Sequence, residues 1–167
     1  MEYILIIVEF FYVKEWKATL WCIIPPLLIG VWVYFGANNE LYIKNAPGFH
    51  TDMVTIQGII LGFTISTYAI LLTANNSDIE KAKSVEIGKK LFSKNYTLYD
   101  SLLIGFSYII IIQTILLIFN FIWPILIDIT GTLGKVFFAL NVSLMAHVIL
   151  LIARNILDFY FIISRRG

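Results

Sequence analysis

The chain has 167 residues, of which 59% are hydrophobic and 14% charged. Soluble domains run at about 45–50% and about 25%, so a soluble globular class is excluded, and the length leaves room for one membrane bundle. A net charge of +1 excludes a globally basic nucleic-acid surface, and the single cysteine, Cys22, excludes an intrachain disulfide and a multi-cysteine zinc site.

The N-terminus does not read as a signal peptide. Tyr3 to Val13 is apolar, but Glu2 stands where a basic residue is expected and no small-residue cleavage site follows. Glu9 interrupts the run, which is too short to span. Residues 1–15 are therefore expected to form an interfacial helix or a first turn continuous with the next helix.

The first crossing is expected at 16–35. Trp16, Trp21, Trp32 and Tyr34 lie near its ends, at headgroup level. Pro25 and Pro26 remove two backbone donors near its middle and predict a kink. Residues 36–53, GANNELYIKNAPGFHTDM, read as a loop from their Asn, Gly and Pro content. His50 and Asp52 are two apart without a third ligand nearby, so no metal site is expected.

The second crossing, 54–73, carries small residues where a membrane helix normally carries large ones. Thr55, Gly58, Gly62, Ser66, Ala69 and Thr73 fall within one stripe at about 100° per residue. Such a stripe serves tight helix packing or lines a narrow pore. This helix is expected to be the one the others pack around.

Residues 74–97 form the long polar segment, expected as a loop with a short helix capped by Ser77 and Glu80. Lys81, Lys83, Lys89, Lys90 and Lys94 make it a topology-setting loop or a contact for anionic lipid or a soluble partner.

The third crossing is expected at 98–123, ended by Pro124. Gln113 and Asn120 are seven apart, share a face, and should turn inward to bond across helices. The fourth is expected at 134–155, with a possible extension to Ser164 and with Arg165 and Arg166 at the interface. Ser143, His147, Arg154 and Asp158 lie within about 60° of one another on it, and Arg154 and Asp158 have the spacing of an ion pair. His147 is the intramembrane ionisable group. It suits a neutral, hydrogen-bonded role or a proton- or voltage-sensitive one.

Alternating the polar segments between two sides puts ten Lys and Arg on one and two, Lys44 and Lys135, on the other. The positive-inside rule then predicts four crossings with both termini and residues 74–97 cytoplasmic. The expected fold is an all-α, four-helix transmembrane bundle that forms a homo-oligomer, taken as a tetramer. No phosphate loop, HExxH or GxSxG motif is present, and no carboxylate lies mid-crossing, so a non-enzymatic protein without cofactor is expected.

The order of features resembles known antiphage membrane proteins. A crossing is followed by an external GFHTDM segment, the small-residue crossing GIILGFTISTYAILL, a lysine-rich segment, a third crossing and a last one reading LMAHVILLIARNILDF. This layout is similar, over roughly residues 16–160, to the RexB-like phage-exclusion proteins and to the membrane subunits of Kiwa antiphage systems. Gly58, Gly62 and His147 match plausible counterparts there. The resemblance implies a multi-pass protein of the bacterial inner membrane. In the Kiwa-like case it is an oligomeric sensor or scaffold for a soluble cytoplasmic partner encoded nearby, without direct nucleic-acid contact. In the RexB-like case it is a depolarising ion channel. A membrane regulator of a CRISPR effector and a holin or immunity protein are the further alternatives.

Overall fold

A computed structural model describes residues 2–91, 94–128 and 130–164. Helix α1 (Glu2–Val13) precedes α2 (Trp16–Gly36) and α3 (Asn39–Thr73). The short α4 (Ser77–Ser84) leads into a hairpin of β1 (Glu86–Leu91) and β2 (Lys94–Thr97), and α5 (Leu98–Leu126) and α6 (Thr132–Ser164) complete the chain. The expected Arg165 and Arg166 anchors lie outside the described residues.

Four helices, α2, α3, α5 and α6, are long and apolar enough to cross a membrane, which identifies a multi-pass membrane protein. Their hydrophobic surface is largely turned outward: Trp21, Trp32, Phe35, Phe63 and Ile125 are all more than 70% exposed. In lipid that is the normal state of such residues, because the bilayer supplies the apolar environment.

The centre of the bundle is α5 with α6. One core cluster joins Phe10 and Val13 of α1, Cys22 of α2, Tyr96 of β2, Ile104, Tyr108 and Ile109 of α5, and Val148 and Leu151 of α6. The expectation that the second crossing is the organising helix is therefore corrected: α3 lies at the periphery. It packs along α5 through Leu71, which joins Ile79 of α4 and Phe106 in a second cluster.

Close helix approach is concentrated at two glycines. A Cβ on Gly30 would stand 2.9 Å from Ser143 Cβ, and one on Gly105 would stand 2.6 Å from Asn155 Oδ1. Gly30 thus seats α2 on α6, and Gly105 seats α5 on α6.

Residues 36–53 are not a loop. Asn38 caps α3, its side chain accepting from Glu40 N at 3.0 Å, and the helix then runs unbroken for 35 residues. At 1.5 Å per residue this is about 52 Å, well beyond the roughly 30 Å of bilayer hydrocarbon. Turn-forming residues are overridden by packing: the Phe138 ring of α6 meets Tyr42 at 5.3 Å and Phe49 at 4.7 Å.

The 74–97 segment is likewise more ordered than a loop. The cap of α4 is Asn76 rather than Ser77, accepting from Ile79 N at 2.9 Å. The hairpin that follows is antiparallel, pairing Glu86 with Thr97 and Lys90 with Asn95, with an irregularity between Glu86 and Lys90. Gly88 sits in that irregularity at φ 70°, a conformation that glycine adopts without strain. The fold is thus α-helical with one small β-hairpin. Thr97 and Asp100 form a reciprocal capping box at the start of α5.

Helix α1 is a separate element packed on α5, not a turn of α2. Phe10 stacks on Tyr108 with ring centroids 3.9 Å apart. Glu9, the charge that interrupts the apolar run, accepts a 2.7 Å hydrogen bond from Tyr96 of the hairpin. Burial and this bond to Glu9 push the Tyr96 phenol up to about 12. At the ends of the crossings, α5 continues through Pro124 to Leu126, and α6 extends to Ser164 as the longer reading anticipated.

Candidate functional site

The outward face of α3 and the polar groups behind it form the most distinctive arrangement in the molecule. Among the described residues, those that α3 buries within the chain are Tyr42, Ala46, Met53, Gln57, Thr64 and Leu71. At about 100° per residue these span about 60° of the helix, centred directly opposite the small-residue stripe. Thr55, Gly58, Gly62, Ser66, Ala69 and Thr73 are all exposed, and a Cβ added at Gly58 or Gly62 would meet nothing within 4 Å. The stripe therefore packs on no helix among the described residues.

The hydroxyls on this face are directed into their own helix. Thr55 donates to Thr51 O at 3.0 Å, Ser66 to Gly62 O at 2.8 Å and Thr73 to Ala69 O at 2.9 Å. Each O–H is satisfied without water, which keeps the face compatible with lipid or with another helix.

Behind the face, three amides clamp α3 to the bundle. Asn120 donates to Gln57 Oε1 at 2.8 Å, and Gln57 donates to Asn141 Oδ1 at 3.2 Å. Asn141 in turn donates to Asn120, which also accepts from Trp123 Nε1 at 3.2 Å. This closes a ring of hydrogen bonds between α3, α5 and α6. Asn120 fulfils its expected inward role. Gln113 is buried beside it in sequence phase, but neither polar atom of its side chain has a partner among the described residues. Gln57 and Asn141 are the two members that sequence reasoning did not single out. The usable signal was simply that each is an amide inside an apolar crossing.

Ser143 and His147 lie on the buried side of α6. Ser143 packs against Gly30. His147 Nδ1 lies 2.5 Å from the carbonyl oxygen of Cys22, and Nε2 lies 3.5 Å from Tyr108 Oη. Cys22 is the residue whose carbonyl Pro26, lacking an N–H, leaves without its helical donor. His147 fills that vacancy, so the Nδ1–H tautomer with a donating Tyr108 completes the network. The helix α2 runs through both prolines without interruption.

The expected ion pair between Arg154 and Asp158 does not form. Asp158 is taken by Lys14, at 2.8 Å, and Arg154 Nη1 is buried without a partner among the described residues. The lysines of 74–97 are mostly engaged within the chain. Lys81 lies 4.0 Å from Asp78, Lys83 pairs with Glu80 at 2.7 Å, and Lys94 pairs with Asp100 at 2.8 Å. Lys89 lies over the Tyr12 ring at 5.7 Å, while the Lys90 carbonyl accepts from Tyr12 Oη at 2.7 Å. Lys81 and Lys83 pair within α4, Lys94 ties the hairpin to α5, and the Tyr12 contacts of Lys89 and Lys90 tie the hairpin to α1. Among the described residues no group of three His, Cys, Asp or Glu could hold a metal ion.

No protein-family model, no curated protein and no solved structure matches this chain.

Proposed function

We propose that the chain is a self-associating membrane scaffold, with the small-residue face of α3 as the contact between copies and the α4–hairpin end as the platform for a cytoplasmic partner. One observation carries this reading: the face built for close approach points directly away from the chain that makes it. The amide ring behind it fixes the rotation of α3, so the face is presented in a set direction.

The layout resemblance supports placing this scaffold in bacterial antiphage defence at the inner membrane, sensing at the envelope and signalling to a soluble partner encoded nearby. The distribution of Lys and Arg supports a cytoplasmic hairpin end. Lys14, Arg154 and the five segment lysines gather there, while Lys135 reaches Ala37 O at 2.8 Å at the other end.

The channel reading needs the same face to line water. Its intrahelical hydroxyl bonds and its flanks of exposed Ile59, Phe63 and Ile65 favour a dry contact between helices. Conductance by the purified protein in planar bilayers, lost in Gly62→Leu, would reverse that preference.

The test of the proposal is the oligomeric state in mild detergent, paired with phage plating on cells expressing the chain and its adjacent soluble protein. Wild type is expected to run as an oligomer and to protect. Gly62→Leu is expected to run as a folded monomer and to lose protection. An unchanged oligomer in Gly62→Leu contradicts the interface, and absence of protection by a correctly assembled wild type removes the antiphage reading alone.

A further inference from the structure

The α4–hairpin end holds a cavity of about 770 Å³ where the last turns of α6 meet the start of α5, α4 and the residues just after α1. That volume is in the range of sites that enclose a small molecule, roughly 300–1,000 Å³. Its charged lining holds four cations and three carboxylates. Lys14 and Arg154 stand on the inner side, and Lys81 and Lys89 on the α4–hairpin side. Glu15, Asp78 and Asp158 are the carboxylates of the lining. Asp158 is committed to Lys14 at 2.8 Å, and Asp78 faces Lys81 at 4.0 Å.

Arg154 is left over. Its Nη1 is buried and donates to nothing among the described residues. An ionised guanidinium N–H withdrawn from water and unbonded is costly, and an anion in the cavity removes that cost. Burial also lowers the pKa of Lys14, against the opposing pull of Asp158. Asn155 Oδ1 holds the same ammonium at 3.1 Å, so Lys14 is fixed in place and the guanidinium is the group free to take a ligand.

The remaining wall is apolar. Leu102 belongs to the first turns of the α5 crossing and Phe161 to the last turns of α6, where its ring is 57% exposed. The cavity thus lies where two crossings end, with buried Lys14 and Leu102 in its wall and the exposed Phe161 beside lipid. A free ion would use only the cations, whereas an anionic lipid uses the apolar side as well.

We propose that this cavity binds the phosphate of an anionic phospholipid, with Arg154 as the principal ligand and the lipid chains leaving past the exposed Phe161. The proposal rests on α5 and α6 being membrane crossings and is independent of self-association and of any antiphage role.

The experiment is native mass spectrometry of the full chain released from nanodiscs of phosphatidylcholine mixed with phosphatidylglycerol. One phosphatidylglycerol per chain is expected to stay bound in preference to phosphatidylcholine. Arg154→Gln is expected to weaken that retention roughly tenfold, as loss of a charge-assisted hydrogen bond should, and Lys44→Gln at the opposite end to leave it unchanged. Arg154→Lys keeps the charge but loses the fork, and is expected to fall between wild type and Arg154→Gln. It also decides the matter should Arg154→Gln not fold. Equal retention in wild type and in either folded Arg154 variant overturns the proposal. So does competition by inorganic phosphate at the affinity of the lipid, which would make a free ion the ligand.

Discussion

His147 shows how one side chain can answer a backbone defect in a membrane, where no water is at hand to do so. Pro26 deprives the Cys22 carbonyl of its helical donor, and His147 Nδ1 supplies one from α6 at 2.5 Å. Replacing His147 by Ala should therefore destabilise the bundle by about 1 kcal/mol or somewhat more. Pro26→Ala restores the N–H at position 26, so His147→Ala should cost much less in that background. Reversible unfolding in mixed micelles, run as a double-mutant cycle, measures the coupling, and equal costs in the two backgrounds would contradict the assignment. At this scale the sequence was partly legible. His147 and Asn120 stood out because polar groups in an apolar crossing need partners. Which partners they find was not legible, because Cys22 contributes only a carbonyl, and Gln57 and Asn141 join Asn120 through helix rotations that no single crossing encodes. Arg154 illustrates the opposite case. Its spacing from Asp158 suits an ion pair, but Lys14, far away in the chain, takes the carboxylate first.

Among the elements, the two kinds of glycine position behave differently. Gly30 and Gly105 are already pressed against α6, where a Cβ would approach other atoms to 2.9 Å and 2.6 Å. Gly58 and Gly62 have open space. Gly30→Leu should therefore lower the thermal stability of the single chain, whereas Gly62→Leu should leave it unchanged. Circular dichroism melts in a detergent that keeps wild type and both variants monomeric compare them, and a similar loss in both would mean that the α3 face is packed inside the chain after all. The boundaries of α2 and α5 were readable from apolar run length to within a few residues, while α6 runs nine residues past 155, as only the longer reading allowed. The extension of α3 through residues 39–53 was not. Asn45, Pro47 and Gly48 favour turns in isolation, while Tyr42, Ala46 and Met53 continue the buried stripe of Gln57 and Leu71 in register. That stripe holds the extension on α6, and its phase could have been noticed. The hairpin escaped for another reason: its short alternation, EIGKKL, lies within a lysine-rich stretch that reads as solvated loop.

For the whole molecule, the two ends divide the work. One end ties Lys135 to Ala37 and Asn39 and is otherwise built from the extended α3 packed on α6. The other gathers α1, α4 and the hairpin, where Lys14, Lys81, Lys89 and Arg154 line the cavity. Between them the amide ring holds α3 so that its small face looks outward. On the proposed reading a chain with that face bare is a unit for assembly, and the central claim is that the outward stripe is the contact between copies. Disulfide trapping in native membranes tests it most directly, using Ser66→Cys on the outward face and Leu71→Cys on the buried one. The account predicts that Ser66→Cys links two copies under mild oxidation while Leu71→Cys does not. A Ser66→Cys chain that stays monomeric at full expression would contradict it.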